Sequence, residues 1–502
     1  MMNEKILTID ISSKSVKIGL VNASNLKTEA WTNNDHVIVD EDMDGFAKHF
    51  DMDDLWKKIT DGINEVLKKF DPETQSLIGI STCAQRIAVV FLDNKGEVIY
   101  GGPNKDVRGL DSAYLIDDEF TDEEMFEITG HSPNLVFCLA RLLWYQEEEE
   151  EQYEKIQTVF TLDDWLVYKL TGVRCSDASS AAETQLLDIQ KCEWSNKIIE
   201  AFGLNPEWFP EFVDPGSIVG HLTAKLAKNF GIKQKEIPVV KTGGDTQATL
   251  LGMGAINNGD IGISAGTSIP LHLVSDNVII DPECNFWATL HGIKDKWLVE
   301  ANTGNAGLGY NWFKEAFFAN SRDVDSIIES YLQKIEPGAD STYAFLGPSI
   351  MEIKDQTSVK KGVFVFQTPG MILEELPTIE HFAKAVLENI AFGIYENYQA
   401  LLKFAESDVK TFCAGGLSKS REFCQMLANV LNAEISVPQY KDAAFTGAAM
   451  NVLIALNKYP DHASIISEIF KFDRYSVEPE IADKYKSIYL DWKNIKSQLD
   501  DL

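Results

Sequence analysis

The segment TGGDTQATLLGMGAINNGDIGISAGTSIP, residues 242–270, constrains the fold more than any other part of the chain. It places a carboxylate, Asp245, directly after Gly243 and Gly244, and the residues after it predict a helix. Two glycines before a helix N-terminus let the backbone approach a ligand closely. The stretch DIGISAGTSIPLHL then predicts a β-hairpin, whose tip at residues 265–268 offers N–H groups and hydroxyls to a phosphate. A proton acceptor beside a phosphate cradle is what phosphoryl transfer to a hydroxyl requires.

Length and charge limit the classes of protein to consider. A chain of 502 residues, 45% of them hydrophobic, predicts a globular protein of two or more domains. The formal net charge of −32 argues against nucleic-acid and anionic-membrane partners, because such a field repels phosphate backbones. The seven cysteines form no CxxC pair, which indicates free thiols in a reducing compartment. With no leader and no apolar span in the sequence, we expect a cytoplasmic protein without a membrane.

The first half of the chain has the pattern of a layered α/β unit. KILTIDI and SVKIGLVN predict a hairpin, and a third strand is expected near residues 29–32. Residues 53–69 predict an amphipathic helix, and the strands SLIGISTC and RIAVVFLD come after it. Three strands followed by a helix are typical of a ribonuclease H-like unit.

The second half repeats this order. DIGISAGT, SIPLHLVS, KWLVEANTG and VKTFCAGG predict strands, and helices are expected over residues 379–404 and 420–431. We therefore predict an α/β protein of two ribonuclease H-like domains with a central cleft. The boundary is expected near Leu251, which gives domains 1–250 and 251–502.

Three further motifs carry polar or glycine-rich turns. Asp10 ends the first strand, and Ser12, Ser13 and Ser15 form a hairpin tip that suits a β- or γ-phosphate, with Asp10 as a Mg²⁺ ligand. The alternative is an ordinary polar hairpin. In TFCAGGLSKS two glycines follow a predicted strand. Such a turn either binds a flat or anionic ligand against its backbone or is a plain helix cap. In DAAFTGAAM, small residues allow a helix to pack closely.

The order of these motifs resembles that of the FGGY carbohydrate kinase family, whose fold is that of the actin/Hsp70 ATPases. RLLWYQ, TLDDWLVYKLTG, SDASSAAETQLLDI and HFAKAVLENIAFGI are similar to further landmarks of the family. The resemblance implies that Asp245 is the catalytic base and that Asp10 interacts with Mg²⁺ and phosphate. It assigns ATP binding to Ser13, Lys14, Ser15, Gly266, Thr267, Gly304, Gly415, Gly416 and Leu417. It assigns substrate binding to Gln85, Arg86, Asp106 and Arg108, together with Asp245; for these charged groups, surface salt bridges are the alternative.

The substrate stays open at this stage. Ile87 follows the Gln–Arg pair, where glycerol kinases carry glutamate and xylulose kinases tend to carry histidine, so neither substrate is favoured. Ser12 stands where the family usually has glycine. PNKDVRG and TLDDW are similar to the quorum-signal (autoinducer) kinase branch, which leaves that activity as an alternative to an unassigned sugar, sugar acid or polyol.

The predicted reaction is ATP-dependent phosphorylation of a hydroxyl, with Mg²⁺ as cofactor and Asp245 as the proton acceptor. A non-catalytic sensor of the same fold is the contrary hypothesis, and the presence of Asp245 favours the enzyme. The expected partner is a small-molecule sugar or polyol, and a homodimer is an open alternative to a monomer.

Overall fold

The computed structural model describes residues 3–43, 45–319, 321–351, 361–368, 376–406, 408–440 and 442–499. The chain divides into two compact units, each discontinuous in sequence. Unit 1 comprises Met1–Ile256, Ser275–Leu298 and Tyr440–Lys471, and unit 2 comprises Asn257–Val274, Val299–Gln439 and Phe472–Leu502. The boundary near Leu251 stays a prediction.

Unit 1 contains most of the strands of the first half of the chain. They are β1 (Asn3–Ile11), β2 (Ser15–Asn22), β3 (Thr28–Asp35), β4 (Ile38–Asp40), β5 (Lys48–Phe50), β6 (Gln75–Ala84), β7 (Val89–Leu92), β8 (Val98–Gly102), β9 (Thr158–Thr161), β10 (Leu187–Asp188), β11 (Glu193–Trp194), β12 (Ile218–His221), β13 (Pro238–Gly244) and β16 (Trp287–Leu290). Its main sheet has the order β12-β13-β6-β1-β2-β3. β2 pairs antiparallel with both β1 and β3, whereas β6 pairs parallel with both β1 and β13. This is the predicted ribonuclease H-like arrangement.

Helices of unit 1 pack on both faces of this sheet and against the smaller sheet β8-β7-β9. They are α1 (Met52–Leu67), α2 (Tyr114–Glu119), α3 (Asp122–Thr129), α4 (Cys138–Glu148), α5 (Glu150–Tyr153), α6 (Leu162–Thr171), α7 (Ala178–Ala181), α8 (Asn196–Ala201), α9 (Ala224–Asn229), α10 (Asp245–Met253), α15 (Ala443–Ala455) and α16 (His462–Ile469). The strands are therefore buried on both faces, which explains the continuous apolar runs of β1 and β2. α1 begins after Asp51, whose side chain accepts a hydrogen bond from the backbone N–H of Asp54.

α10 and α15 pack against each other without space for side chains between them. A β-carbon on Gly447 would lie 2.0 Å from the carbonyl oxygen of Ala248, and one on Gly252 would lie 1.8 Å from that of Ala443. The close packing predicted from Gly447 is confirmed. It fixes the helix that begins at Asp245 against the core of unit 1.

Unit 2 is built on a second sheet. Its strands are β14 (Asp260–Ser264), β15 (Pro270–Ser275), β17 (Trp297–Asn302), β18 (Tyr343–Phe345), β19 (Val363–Val365), β20 (Lys410–Ala414), β21 (Ile435–Pro438) and β22 (Phe472–Tyr475). The order β17-β15-β14-β20-β21-β22 repeats the arrangement of unit 1, with β14 antiparallel to β15 and parallel to β20. The helices are α11 (Ala306–Phe318), α12 (Val324–Lys334), α13 (Ile379–Leu401), α14 (Arg421–Leu431) and α17 (Pro479–Leu499). The predicted α/β class with two ribonuclease H-like units is confirmed.

The cysteines and the helix lengths bear on the predicted cellular compartment. None of the seven cysteines, all of which lie in the described part of the chain, forms a disulfide, and five of them are buried. Among the described residues, no helix has both the length and the apolar character that crossing a membrane demands.

Candidate active site

The glycine turn at the end of β13 presents Asp245 at the first position of α10. Gly243 has a φ of +92°, a conformation that favours glycine, and Gly244 is the extended N-cap of the helix. The carboxylate of Asp245 is partly exposed, and its Oδ1 accepts a 2.8 Å hydrogen bond from the backbone N–H of Thr246. The turn therefore holds a carboxylate that a small molecule can reach.

The surroundings of Asp245 tune its acidity. Burial raises the pKa of Asp245 to about 7, and the nearby carboxylate of Asp10 contributes to the increase. The positive charges of Arg86 and Lys17 act in the opposite direction. A carboxyl group with a pKa near neutrality can accept a proton from a hydroxyl and release it afterwards.

Asp10 lies in the same unit, at the end of β1, and forms a chain of charges with two other residues. Nζ of Lys17 lies 3.2 Å from Oδ2 of Asp10 and 3.4 Å from Oδ2 of Asp442. Asp442 also accepts the backbone N–H of Phe445 and so caps α15. Burial raises the pKa of Asp10, Lys17 opposes this, and Asp442 adds to it.

Sequence reasoning gave Lys17 no role, although a signal was present. Lys17 stands directly opposite Asp10 in the antiparallel β1–β2 pair, and side chains that face each other across such strands interact. The hairpin register therefore predicts this ion pair, and it puts a cation beside the predicted phosphate turn.

The residues present fit the predicted Mg²⁺. The second carboxylate oxygen of Asp10, Oδ1, is buried and accepts no hydrogen bond of ordinary geometry from the described residues, and the thiol of Cys83 lies near this carboxylate. Within the described part of the chain, no cluster of three or more histidine, cysteine or acidic side chains could hold a metal ion. Mg²⁺ is commonly held by one or two carboxylates plus phosphate oxygens and water, so Asp10 is sufficient as its protein ligand.

The first predicted phosphate turn is closed by its own serines. The hydroxyl of Ser12 donates to the carbonyl of Ser15 at 2.9 Å, and the backbone N–H of Ser15 lies 3.3 Å from the Ser12 hydroxyl. Ser12 does not have a positive φ, so the missing glycine costs no backbone strain here. Lys14 is exposed, Ser13 is partly buried and Ser15 is buried.

Gln85 and Arg86, two of the predicted substrate residues, lie next to these turns. The side chain of Gln85 donates to the carbonyl of Ser12 at 3.4 Å. A β-carbon on Gly244 would lie 3.0 Å from Cγ of Arg86, so the arginine stem packs on the turn that carries Asp245. The guanidinium donates to Oε1 of Glu183 at 3.1 Å.

Asp106 and Arg108 are instead held in a buried cluster. Nε of Arg108 donates to Oδ2 of Asp106 at 2.7 Å, and the hydroxyl of Tyr100 donates to the same oxygen. The other carboxylate oxygen accepts the backbone N–H of Lys48 at 2.9 Å. Arg108 also pairs with Glu41 at 3.1 Å. Because these groups already satisfy one another, their contacts favour the salt-bridge alternative, in a buried rather than a surface form.

In unit 2, several predicted nucleotide residues line one cavity of about 610 Å³. Of the predicted residues, Gly266, Thr267, Gly416 and Leu417 belong to its lining. Sequence reasoning missed the rest of the lining, which includes Gly307, Tyr310, Asn311, Lys314, Asp325, Glu329, Ser420 and Arg421. Such a cavity has the size of a small-molecule site and combines glycine backbone with an aromatic ring and charged groups.

Two other predicted nucleotide residues, Gly304 and Gly415, are not among the described residues that line this cavity. Gly304 follows β17 with a φ of +71°, and its N–H donates to Oδ1 of Asn302. Gly415 has a φ of +116° and packs on the backbone of Ala265. Gly416 has a φ of −62°, so the left-handed position of the pair is Gly415.

Comparison with known proteins gives two matching family models. The N-terminal domain of the FGGY family of carbohydrate kinases matches residues 5–252, and the C-terminal domain of that family matches residues 261–456. YoaC of Bacillus subtilis, named as a sugar kinase, is 28% identical over 407 residues, which covers 80% of each chain. The autoinducer-2 kinase of Salmonella typhimurium is 25% identical over 472 residues, covering 89% of this chain and 86% of that protein.

Solved structures agree on the fold. A xylulose kinase from Lactobacillus acidophilus superimposes with a TM-score of 0.85 at 19% identity, covering 99% of this chain and 98% of that one. The glycerol kinase of Plasmodium falciparum with ADP gives a TM-score of 0.84 at 20% identity, with the same coverage. At these identities the likeness establishes the two-domain fold of such kinases and no more.

Proposed function

Because the chain belongs to the FGGY family of carbohydrate kinases, we propose that it transfers the γ-phosphoryl group of ATP to a hydroxyl of a small sugar, sugar acid or polyol. Family membership implies ATP as the donor. With the predicted domain boundary near Leu251, residues 1–250 bind the acceptor substrate and the transferred phosphate, and residues 251–502 bind the nucleotide.

One observation carries the proposal: Asp245 combines a reachable carboxylate, a helix N-terminus and a pKa of about 7. A sugar hydroxyl has a very high pKa, so its full deprotonation before transfer is unfavourable. Asp245 therefore orients the hydroxyl first and takes its proton late, as the bond to phosphorus forms. Burial raises its pKa into the range where both steps work, Asp10 adds to the increase and Arg86 opposes it.

Lys17 and Asp10 form the phosphate end of the acceptor side. Lys17 supplies a positive charge that attracts phosphate oxygens, and Asp442 holds its ammonium group at the hairpin. Asp10 is the residue that would hold Mg²⁺, which neutralises charge on the phosphates when it is bound with the nucleotide. The hydroxyls and N–H groups of Ser13, Lys14 and Ser15 stand beside this pair.

In the proposed function the nucleotide binds in the cavity of unit 2. Gly266 and Thr267 take the phosphates and Gly416 and Leu417 the adenosine, as the family resemblance assigns them. The lack of a side chain at Gly416 leaves room for a flat group against the backbone.

Phosphorylation of a quorum signal is the second candidate activity. It is favoured by the autoinducer-2 kinases among the relatives, which match 89% of this chain at about 25% identity. An identity of about 25% supports kinase activity more strongly than it supports a shared substrate. An unassigned sugar or polyol therefore ranks above the quorum signal as the proposed substrate. A non-catalytic sensor of the same fold would have no need of a carboxylate such as Asp245.

The test is a coupled ADP-release screen of the purified protein with Mg²⁺ and ATP. The panel comprises pentuloses, hexoses, sugar acids, tetritols, cyclitols and the quorum-signal precursor, and product formation is checked by ³¹P NMR. We expect at least one compound to give stoichiometric ADP and phosphate ester. ATP binding without turnover of any compound would favour the sensor.

A further inference from the structure

Arg86, a predicted substrate residue beside Asp245, is already paired with a carboxylate of the protein. Nη1 of Arg86 lies 3.1 Å from Oε1 of Glu183, whose side chain is 2% exposed, whereas the arginine side chain is 10% exposed. The hydroxyl of Thr289 donates to the same oxygen at 2.9 Å and fixes the carboxylate in place. Glu183 stands in a short 3₁₀ turn, residues 182–184, and the proposed function gives it no role.

The other cations around the Asp245 turn are paired as well. Nζ of Lys241, which is fully buried in β13, lies 2.6, 2.7 and 3.0 Å from the carboxylates of Asp163, Asp164 and Asp177. The side chains next to Asp177 touch the turn, since a β-carbon on Gly243 would lie 2.9 Å from the hydroxyl of Ser179. Lys17 is held by two carboxylates in the same way.

The charge around the acceptor is therefore negative. Three cations, Arg86, Lys241 and Lys17, stand among seven carboxylates: Asp10, Asp163, Asp164, Asp177, Glu183, Asp245 and Asp442. An arginine that recognises a substrate carboxylate uses its planar fork of donors for that purpose. Here Glu183 occupies part of that fork and neutralises its charge.

We propose that Glu183 sets the charge of the substrate: by pairing with Arg86, it makes the acceptor site select an uncharged sugar or polyol and reject a sugar acid. This inference rests on the proposed function and narrows its substrate class. Bringing an anion to a site where carboxylates outnumber cations costs like-charge repulsion, whereas hydroxyl groups can accept from Arg86 and donate to carboxylate oxygens. Glu183 acts through Arg86 and is a specificity-determining residue.

The test uses pairs of compounds that differ only in a terminal hydroxymethyl or carboxylate group. Xylitol and D-xylonate, ribitol and D-ribonate, and D-glucitol and D-gluconate are compared by ADP release at pH 7.5, together with any neutral hit from the screen and its aldonic acid. For the wild type we expect kcat/KM to be at least ~100-fold higher for the neutral member of a pair, the scale of one unfavourable charge contact.

A variant of Glu183 then tests its role directly. Glu183→Gln keeps the shape but releases Arg86, so we expect the neutral-to-acid ratio of kcat/KM to fall by at least ~10-fold, with the KM for ATP unchanged. Glu183→Asp should restore part of the ratio. The matched control is Glu388→Gln, which removes a buried carboxylate of unit 2 and should leave the ratio as in the wild type.

The outcomes separate the two claims. Equal or better turnover of sugar acids by the wild type would overturn the inference and leave the kinase proposal intact. An unchanged ratio in folded Glu183→Gln would remove Glu183 from specificity. If that variant does not fold, the wild-type ratio still decides the charge selection. Turnover of no compound in the panel would count against the kinase proposal and against the inference with it.

Discussion

Each of the two units has a pair of adjacent glycines at the end of an interior strand of its main sheet. In unit 1, β13 leads into Gly243 and Gly244; in unit 2, β20 leads into Gly415 and Gly416. The first glycine of each pair has a positive φ, +92° and +116°, and the second has an ordinary φ, −68° and −62°. The second glycines differ in ψ, which is 152° at the extended Gly244 and −47° at the helical Gly416, so the two pairs send the chain in different directions.

The two turns differ in the residues that come directly after them. In unit 1 the helix begins at once with Asp245, so the turn presents a carboxylate. In unit 2 the chain enters a 3₁₀ turn at residues 417–419, and Gly416 lines a cavity with bare backbone. In the proposed function both glycine turns give a ligand access to the backbone, and the residues after each turn make the difference between proton transfer and nucleotide binding.

The largest effect is expected at the residue that distinguishes the turns. Asp245→Asn keeps the size of the side chain but removes its ability to take a proton. Turnover should therefore fall ~10²–10⁴-fold, while ATP affinity stays nearly intact. Steady-state kinetics and isothermal titration with ATP measure the two quantities. Glu388→Gln, whose carboxyl group also has a pKa raised by burial to about 7, should keep wild-type turnover. Near-normal turnover of Asp245→Asn would remove Asp245 from the chemistry.

The next effect concerns stability at the turn of unit 2. A β-carbon on Gly415 would lie 2.6 Å from the carbonyl oxygen of Ala265, and the φ of +116° is unfavourable for alanine. Gly415→Ala should therefore lower the free energy of unfolding by about 1–3 kcal/mol. Gly416→Ala is the matched control, because its β-carbon comes no closer than 3.9 Å to the same oxygen. Urea denaturation measures both variants. Equal losses in the free energy of unfolding would contradict this account of the turn.

A smaller effect is expected on ligand binding at the same turn. Gly416→Val fits the backbone but places a branched side chain at the wall of the cavity, so ATP affinity should fall about 10-fold. Sugar binding should change little, because the acceptor residues lie in unit 1. Isothermal titration with each ligand separates the two effects. Equal losses for both ligands would mean that Gly416 has only a structural role.

Much of this architecture could be predicted from local patterns. The strand pattern gave the β1–β2 hairpin, and hydrophobic periodicity gave α13, although its last predicted turn, residues 402–404, is a 3₁₀ turn. The predicted strand RIAVVFLD is present as β7, which pairs with β8, but β7 is shorter than predicted because Ile87 has a φ of +66°. Such features depend on neighbours in sequence, which spacing rules capture.

The charge partners of the site could not be predicted in this way. Glu183 is 97 residues from Arg86, and Lys241 is 78 residues from Asp163, so only the folded chain joins them. For the same reason the spacing of Asp106 and Arg108 fitted a substrate site and a salt bridge equally well. Their burial and their contacts with Tyr100 and Lys48 likewise exist only in the folded chain.

The pH dependence of kcat/KM tests the central claim, that Asp245 is the proton acceptor, most directly. The base works only when ionised, and burial raises the pKa of Asp245 to about 7. With the substrate found in the ADP-release screen, kcat/KM should therefore be level above about pH 7 and fall about tenfold per unit below it. Glu388→Gln should give the same curve, although Glu388 also has a pKa of about 7, because it lies outside the acceptor site. A wild-type profile that is flat from about pH 5.5 to about 8.5, or a break that disappears in Glu388→Gln, would contradict the assignment.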